Sequence, residues 1–247
     1  MIKFDSVEYW QSHLWDRYSE LEKVPALVRE EFLRQENLTV AKALSLLNDR
    51  NELKIMDLAC GTGRISKSIL KAMPASKRAE LILIDFNDNA LEKAKTNLKE
   101  YRNVGFSKLD AYNIGDEFKE YFDIVIAMDF LHHIANLHDL LSRIEKTLLP
   151  GGTFIGNVFA DRNYKKWDKC KYGVYKSKKR LILHALTSSS LYRLSPTFLK
   201  KLIRYTGTAR IAPLSLNELN LYLKSYFVSV ETVTSYYYWF SARKQSS

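Results

Sequence analysis

Cysteine is scarce: two in 247 residues, Cys60 and Cys170. They are too few and too separated for a disulfide framework or a zinc site, which points to a reduced, cytoplasmic setting and to no bound metal. Long apolar runs are missing as well. Nothing approaches the ~20 consecutive apolar residues that span a bilayer. Met1–Ser6 opens no apolar stretch like that of a secretory signal, so none is expected. Acidic residues are nearly absent from one region only. Residues 161–213 hold 14 Lys and Arg against 2 Asp and Glu, whereas the rest of the chain holds 24 against 26. The net charge of +10 therefore belongs to one segment. With 46% hydrophobic and 27% charged residues, the remainder has an ordinary soluble, globular composition, long enough for a sizeable core.

The chain is organised around Ile55-Met56-Asp57-Leu58-Ala59-Cys60-Gly61-Thr62-Gly63-Arg64. Leu53–Leu58 reads as a buried strand and Gly63–Met73 as a helix with Ile65, Ile69, Leu70 and Met73 on one face. Strand, glycine turn and helix make a ligand site, because glycine lets a ligand approach the backbone and the helix start offers free N–H groups. It is not a phosphate site. The dinucleotide fingerprint needs glycine where Ser66 stands, and the P-loop G-K-[ST] is missing. Asp57 makes the local field negative, which suits a cationic or hydroxyl-rich ligand.

Strands and helices then alternate. Strands are expected at Glu80–Asp85, Val104–Leu109, Asp123–Met128 and Thr153–Ala160. Helices are expected from Asn87 or Asp88, over a short stretch at Asp116–Tyr121, and at Asn136–Leu149, with Pro150-Gly151-Gly152 as a sharp stop. Such alternation implies a parallel sheet with helices on both faces. Four successive strands each bring an aspartate to the rim where ligands bind such sheets: Asp57, Asp85, Asp110 and Asp129. Ser215-Leu216-Asn217-Glu218 is a capping box opening a helix, and Phe227–Val233 and Tyr236–Ala242 read as a hairpin turning at Thr234-Ser235.

The Asp57–Gly63 turn resembles motif I of the class I S-adenosylmethionine (SAM)-dependent methyltransferases, with Ala59 in place of the first glycine of that pattern. The C-terminal hairpin is similar to the one that ends their seven-stranded fold. The resemblance covers about 53–160 and 214–243. It implies a doubly wound, mostly parallel seven-stranded α/β sheet with a C-terminal antiparallel hairpin. An N-terminal helical cap at 1–49 precedes a core of 50–160 and 214–247, and a basic, partly helical lid at 161–213 is inserted after strand 5.

The resemblance also implies the site. The backbone around Ala59, Gly61, Thr62 and Gly63 would hold the methionine half of SAM. Asp57 would organise the turn or receive the amino group through water. Asp85 would accept the two ribose hydroxyls, with Phe86 packed on adenine. Asp110 would accept from the adenine amine beside Ala111, and Met128 and Asp129 would lie near the methionine and its methyl. The bland alternative for Asp85 and Asp110 is helix capping or turn formation. The product would be S-adenosylhomocysteine (SAH), and no metal is expected. His132, in Met128-Asp129-Phe130-Leu131-His132-His133, is the candidate general base, against a reading in which it only packs behind the site. The Asn/Asp-Pro-Pro-Tyr sequence of DNA and protein-glutamine amino methylases is missing after strand 4, which argues against those substrates.

At the N-terminus, Tyr9, Trp10, Leu14, Trp15 and Tyr18 form an aromatic stripe that reads first as core. The family resemblance makes Tyr9, Trp10 and Tyr18 second-rank candidates for cofactor contact. Arg162–Arg180 interleaves basic residues with Tyr164, Trp167, Tyr172 and Tyr175, and a short helix follows Ser195-Pro196. The favoured reading of 161–213 is a lid over a small acceptor, anionic or carrier-bound. An RNA-binding surface, making the protein a tRNA- or RNA-modifying methyltransferase, and docking on an anionic membrane compete with it. A SAM-binding protein with a different activity also stays open, since fold does not dictate function.

Overall fold

The central strands form on mainly apolar runs, because a central parallel strand is buried on both faces. In the computed structural model, which describes residues 26–47, 50–134, 136–160 and 214–246, α1 (Ala26–Ser45) leads into β1 (Glu52–Leu58) and α2 (Arg64–Ala72). Then come β2 (Arg78–Asp85), α3 (Asp88–Asn97), β3 (Val104–Lys108), β4 (Phe122–Ala127), α4 (Leu137–Thr147) and β5 (Leu148–Phe159). After the undescribed stretch follow α5 (Leu216–Lys224), β6 (Ser229–Thr234) and β7 (Tyr237–Arg243). The sheet has seven strands in the order β3-β2-β1-β4-β5-β7-β6. The pairs among β1 to β5 are parallel, while β7 runs antiparallel to both β5 and β6. This is the expected doubly wound α/β fold with its C-terminal hairpin.

Each sheet face carries its own core. On one, Leu140, Leu141 and Ile144 of α4 and Leu219 and Leu223 of α5 pack with Val125, Phe154 and Phe240. On the other, Ala43, Ile65, Ile69, Ala94 and Leu98 pack with Ile55, Leu81, Ile124 and Ile155. Each such aliphatic side chain contributes about 1.5–3 kcal/mol by leaving water. The strand order reverses between neighbours β1 and β4, so the crevice for a ligand opens beyond their carboxyl ends.

Two sequence expectations are corrected. Pro150-Gly151-Gly152 does not separate α4 from the next strand. β5 begins at Leu148, paired with Phe122, and the register then jumps to Ile124 opposite Thr153. The extra residues form a bulge in which Gly151 takes φ 73°. The stretch at Asp116–Tyr121 is one turn of 3-10 helix, Asp116–Phe118. The buried face of α1 includes Glu31, Gln35 and Thr39, while Leu33 is 41% exposed. Those polar residues meet polar partners. Gln35 Nε2 donates to Glu31 (2.7 Å) and to Ser235 Oγ (3.2 Å). The Trp239 indole N–H donates to Thr39 Oγ1 (3.0 Å). Hydrophobic periodicity does not register such a face. Tyr9, Trp10, Tyr18 and the whole of 161–213 lie outside the described residues.

Candidate active site

The four aspartates sit at the carboxyl ends of four strands that are neighbours in the sheet, β3, β2, β1 and β4. Asp57, next to last in β1, is buried, and its Oδ2 accepts from Ser66 Oγ of α2 at 2.5 Å. Burial pushes its carboxyl from 3.8 up to about 7; the Ser66 hydrogen bond opposes that rise and the Asp85 charge adds to it. Asp85 ends β2, and each of its oxygens takes a backbone N–H, from Gly61 and from Asn87, both at 2.9 Å. It thereby ties the glycine turn to the end of β2. Burial raises its pKa, and those N–H groups pull it back. The Phe86 N–H acts on it as well, and with about four lone-pair sites the carboxylate keeps acceptor capacity beyond these backbone donors. Phe86 beside it is half-buried.

Asp110 caps the single turn Ala111–Asn113 by accepting from the Tyr112 N–H at 3.0 Å. This is the capping geometry named as its alternative, and it leaves the carboxylate half-exposed next to buried Ala111.

The turn itself divides its glycines. Gly61, at φ 55°, has open space where a Cβ would stand. Gly63, at φ 72°, is closed by packing: a Cβ would meet Leu98 Cδ1 at 2.8 Å and Leu83 Cδ2 at 3.1 Å. Gly61 thus leaves its backbone open to the crevice, and Gly63 lets α2 settle against α3 and the sheet. Ala59 also takes a left-handed φ of 56°, although it carries a Cβ. Thr62 is buried, and its carbonyl accepts from Asn97 Nδ2 at 3.0 Å. Cys60 lies in the same turn, where burial and the charges of Asp57 and Asp85 push its thiol pKa up and make it a poor nucleophile.

Across the crevice, Met128 is half-buried, with its sulfur 3.5 Å from the Thr39 hydroxyl. Asp129 is left-handed at φ 55°. Its N–H donates to Asn157 Oδ1 (2.6 Å), and its Oδ1 accepts from the Tyr237 hydroxyl (2.7 Å). His132 Nε2 lies 3.7 Å from the same oxygen. The His132 ring is buried, with its centroid 4.2 Å from those of both Phe159 and His133. Phe159 stacks on Tyr237 at 4.6 Å.

Two of these neighbours, Asn157 and Tyr237, escaped the sequence reading, as did the ion pair of Arg64, directly after the glycine turn, with Glu36 of α1. Asn157 and Tyr237 are brought to Asp129 by the antiparallel pairing of β5 with β7, in which Asn157 faces Trp239 and Phe159 faces Tyr237. No local pattern carries that register. Among the described residues, no group of His, Cys, Asp and Glu has the arrangement of a metal site.

Residues 56–154 match the family model described as a methyltransferase domain. Over that stretch, about two fifths of the chain, the protein is similar to a methyltransferase domain. A demethylmenaquinone methyltransferase from Lactococcus lactis is 31% identical over 139 residues, 56% of this chain and 53% of that protein. A malonyl-[acyl-carrier protein] O-methyltransferase from Priestia megaterium is 24% identical over 143 residues, 58% of this chain and 50% of the relative. The chain thus spans about half the length of these curated relatives. The methyltransferase fold extends further in the crystal structure of magnesium protoporphyrin IX methyltransferase from Synechocystis PCC 6803 with bound SAH. That structure aligns over 96% of this chain and 97% of its own, with a TM-score of 0.65 and 18% identity. No helix among the described residues is long and apolar enough to cross a membrane.

Proposed function

We propose that this protein is a SAM-dependent methyltransferase acting on a small-molecule acceptor, anionic or carrier-bound. The observation that carries this reading is the open Gly61 position, held by its N–H on Asp85 at the β1/β4 switch point. A backbone cradle with no Cβ and an acidic rim fits a cationic sulfonium nucleoside. When bound, SAM supplies an electrophilic methyl on a good leaving group. The protein then has to align the acceptor for in-line displacement and exclude water.

In this reading the backbone of Ala59, Gly61, Thr62 and Gly63 holds the methionine half. Asp57 braces the turn through Ser66. Asp85 accepts the ribose hydroxyls and Phe86 packs on adenine. Asp110, beside Ala111, accepts from the adenine amine. Met128 and Asp129 line the methionine side. His132, its Nε2 3.7 Å from Asp129 Oδ1, is the candidate base, and its burial requires the acceptor to reach it from the crevice. Residues 1–49 act as a cap, 50–160 and 214–247 as the core, and 161–213 as the acceptor segment, whose excess of basic residues suits an anionic or carrier-bound acceptor. Curated relatives named for demethylmenaquinone and for ubiquinone biosynthesis support a small-molecule acceptor, and one named for malonyl-[acyl-carrier protein] supports a carrier-bound one.

Calorimetric titration with SAH tests the cofactor site. Wild type binds, and Asp85→Ala loses roughly 30-fold or more in affinity, about 2 kcal/mol for a charge-assisted hydrogen-bonding centre. A wild-type protein that binds neither SAM nor SAH at millimolar concentration would sink the reading. Release of SAH in a screen of small acids, phenols and acyl carriers then identifies the acceptor.

A further inference from the structure

The polar face of α1 holds one buried oxygen that no described residue satisfies. Gln35 is 2% exposed, and among the described residues nothing donates to its Oε1. Its amide is nevertheless fixed. Nε2 donates to Glu31 Oε1 at 2.7 Å and to Ser235 Oγ at 3.2 Å, and turning the amide over would set its oxygen against the Glu31 carboxylate. Ser235 Oγ in turn donates to Glu31, which is itself buried. Buried polar atoms are almost always paired in folded proteins, and an unmet one is destabilising. A carbonyl oxygen held this firmly is set to receive a donor.

The fold places that oxygen beside the crevice. α1 ends at Ser45 and β1 starts soon after at Glu52, so the N-terminal half of α1, with Glu31 and Gln35, lies toward the carboxyl rim of the sheet. One turn beyond Gln35, Thr39 Oγ1 is 3.5 Å from the sulfur of Met128, just past the end of β4. Ser235 leads into β7, where Tyr237 bonds Asp129 and Trp239 bonds Thr39. Tyr237 and Trp239 stand two apart in one strand and so share a face. In the strand order β1-β4-β5-β7, this corner lies across β4 from the glycine turn. It therefore borders the acceptor's side of the crevice.

Gln35 Oε1 only accepts, and Glu31 beside the amide repels an anion. An uncharged hydroxyl meets both requirements. We propose that Gln35 determines acceptor specificity, its Oε1 taking the hydrogen bond of a hydroxyl on the acceptor, with Glu31 and Ser235 as positioning residues that aim the amide. The acceptor is then a phenol or hydroxy acid, and its hydroxyl reaches Gln35 from the crevice, past half-buried Met128. The proposal rests on the methyltransferase reading above and narrows its acceptor class.

The test titrates SAH-loaded protein with 4-hydroxybenzoate and with 4-methoxybenzoate, which differ only in the donor. Wild type is expected to bind the hydroxy compound about 10-fold or more tightly, the range for a buried hydrogen bond made or left unmet. Gln35→Met, of similar volume, is expected to bring the ratio close to one by weakening the hydroxy compound alone. Ser235→Ala is expected to lower the ratio part-way and serves if Gln35→Met does not fold. Equal affinities in wild type, or hydroxybenzoate that fails to bind at millimolar concentration, would overturn the proposal. So would a ratio that survives in Gln35→Met, since the methoxy group would then be refused for its size. A wild type that does not take up SAH would sink the SAM reading itself, an outcome seen before either benzoate is added.

Discussion

Replacing Asp57 by asparagine should change how stability responds to pH. Asp57 is 3% exposed, and its carboxyl is pushed from 3.8 up to about 7. A carboxyl whose pKa is raised on folding binds its proton more tightly in the native state. Its contribution to stability is therefore fully present below pH 3.8 and is lost as pH rises through about 7. Between pH 5 and pH 8 the linkage integral for these two values gives a loss of roughly 2.5 kcal/mol, which Asp57 imposes on wild type alone. Asparagine fills the same volume, can still accept from Ser66, and does not titrate. Urea unfolding of the ligand-free protein at pH 5 and pH 8 measures the effect. Asp85, Cys60 and the other titrating groups are common to both chains, so the difference of differences isolates Asp57 apart from its coupling to Asp85. The variant should gain about 2–3 kcal/mol relative to wild type from pH 5 to pH 8. A flat difference, or one of opposite sign, would mean that Asp57 titrates normally and that burial does not govern it.

Two further predictions concern the turn. Gly63→Ala combines a left-handed φ of 72° with a 2.8 Å contact to Leu98, and should cost about 2–4 kcal/mol in denaturant unfolding. Gly61→Ala meets nothing and should cost only about 1–2 kcal/mol from backbone strain, yet weaken SAH by more than tenfold because its Cβ enters the ligand's space. Equal stability losses in the two would show that the glycines share one role. Ala59→Gly relieves the left-handed alanine at φ 56° and should stabilise by roughly 0.5–1 kcal/mol after the extra entropy of the unfolded glycine; a lowered melting temperature would refute the strain.

Much of the fold was legible because burial writes a local pattern. Apolar runs marked β1, β2 and β4, the first broken only by Lys54 and Asp57, and helical spacing marked α4. The capping box was visible as Ser215 and Glu218, and both of its halves form, at 3.2 and 2.8 Å. What failed locally was whatever depended on a distant partner. The bulge at Pro150–Gly152 answers the register of β5 against β4, and the polar face of α1 answers Ser235 and Trp239.

The same division runs through the site. The turn at Asp57–Gly63 and the aspartates at four strand ends could be read from residue order, because a parallel α/β sheet delivers its strand ends to one rim. Which way each aspartate is engaged could not. Asp57 turns inward to Ser66, Asp85 binds the turn itself, Asp110 caps a helix, and Asp129 takes a left-handed backbone under Tyr237. Arg64 meets Glu36 across 28 positions, and Tyr237 meets Asp129 across 108. Hydrophobic periodicity reports which face of an element is buried; the partner that a polar group finds there is decided by strand order and register, and these exist only once the sheet has formed.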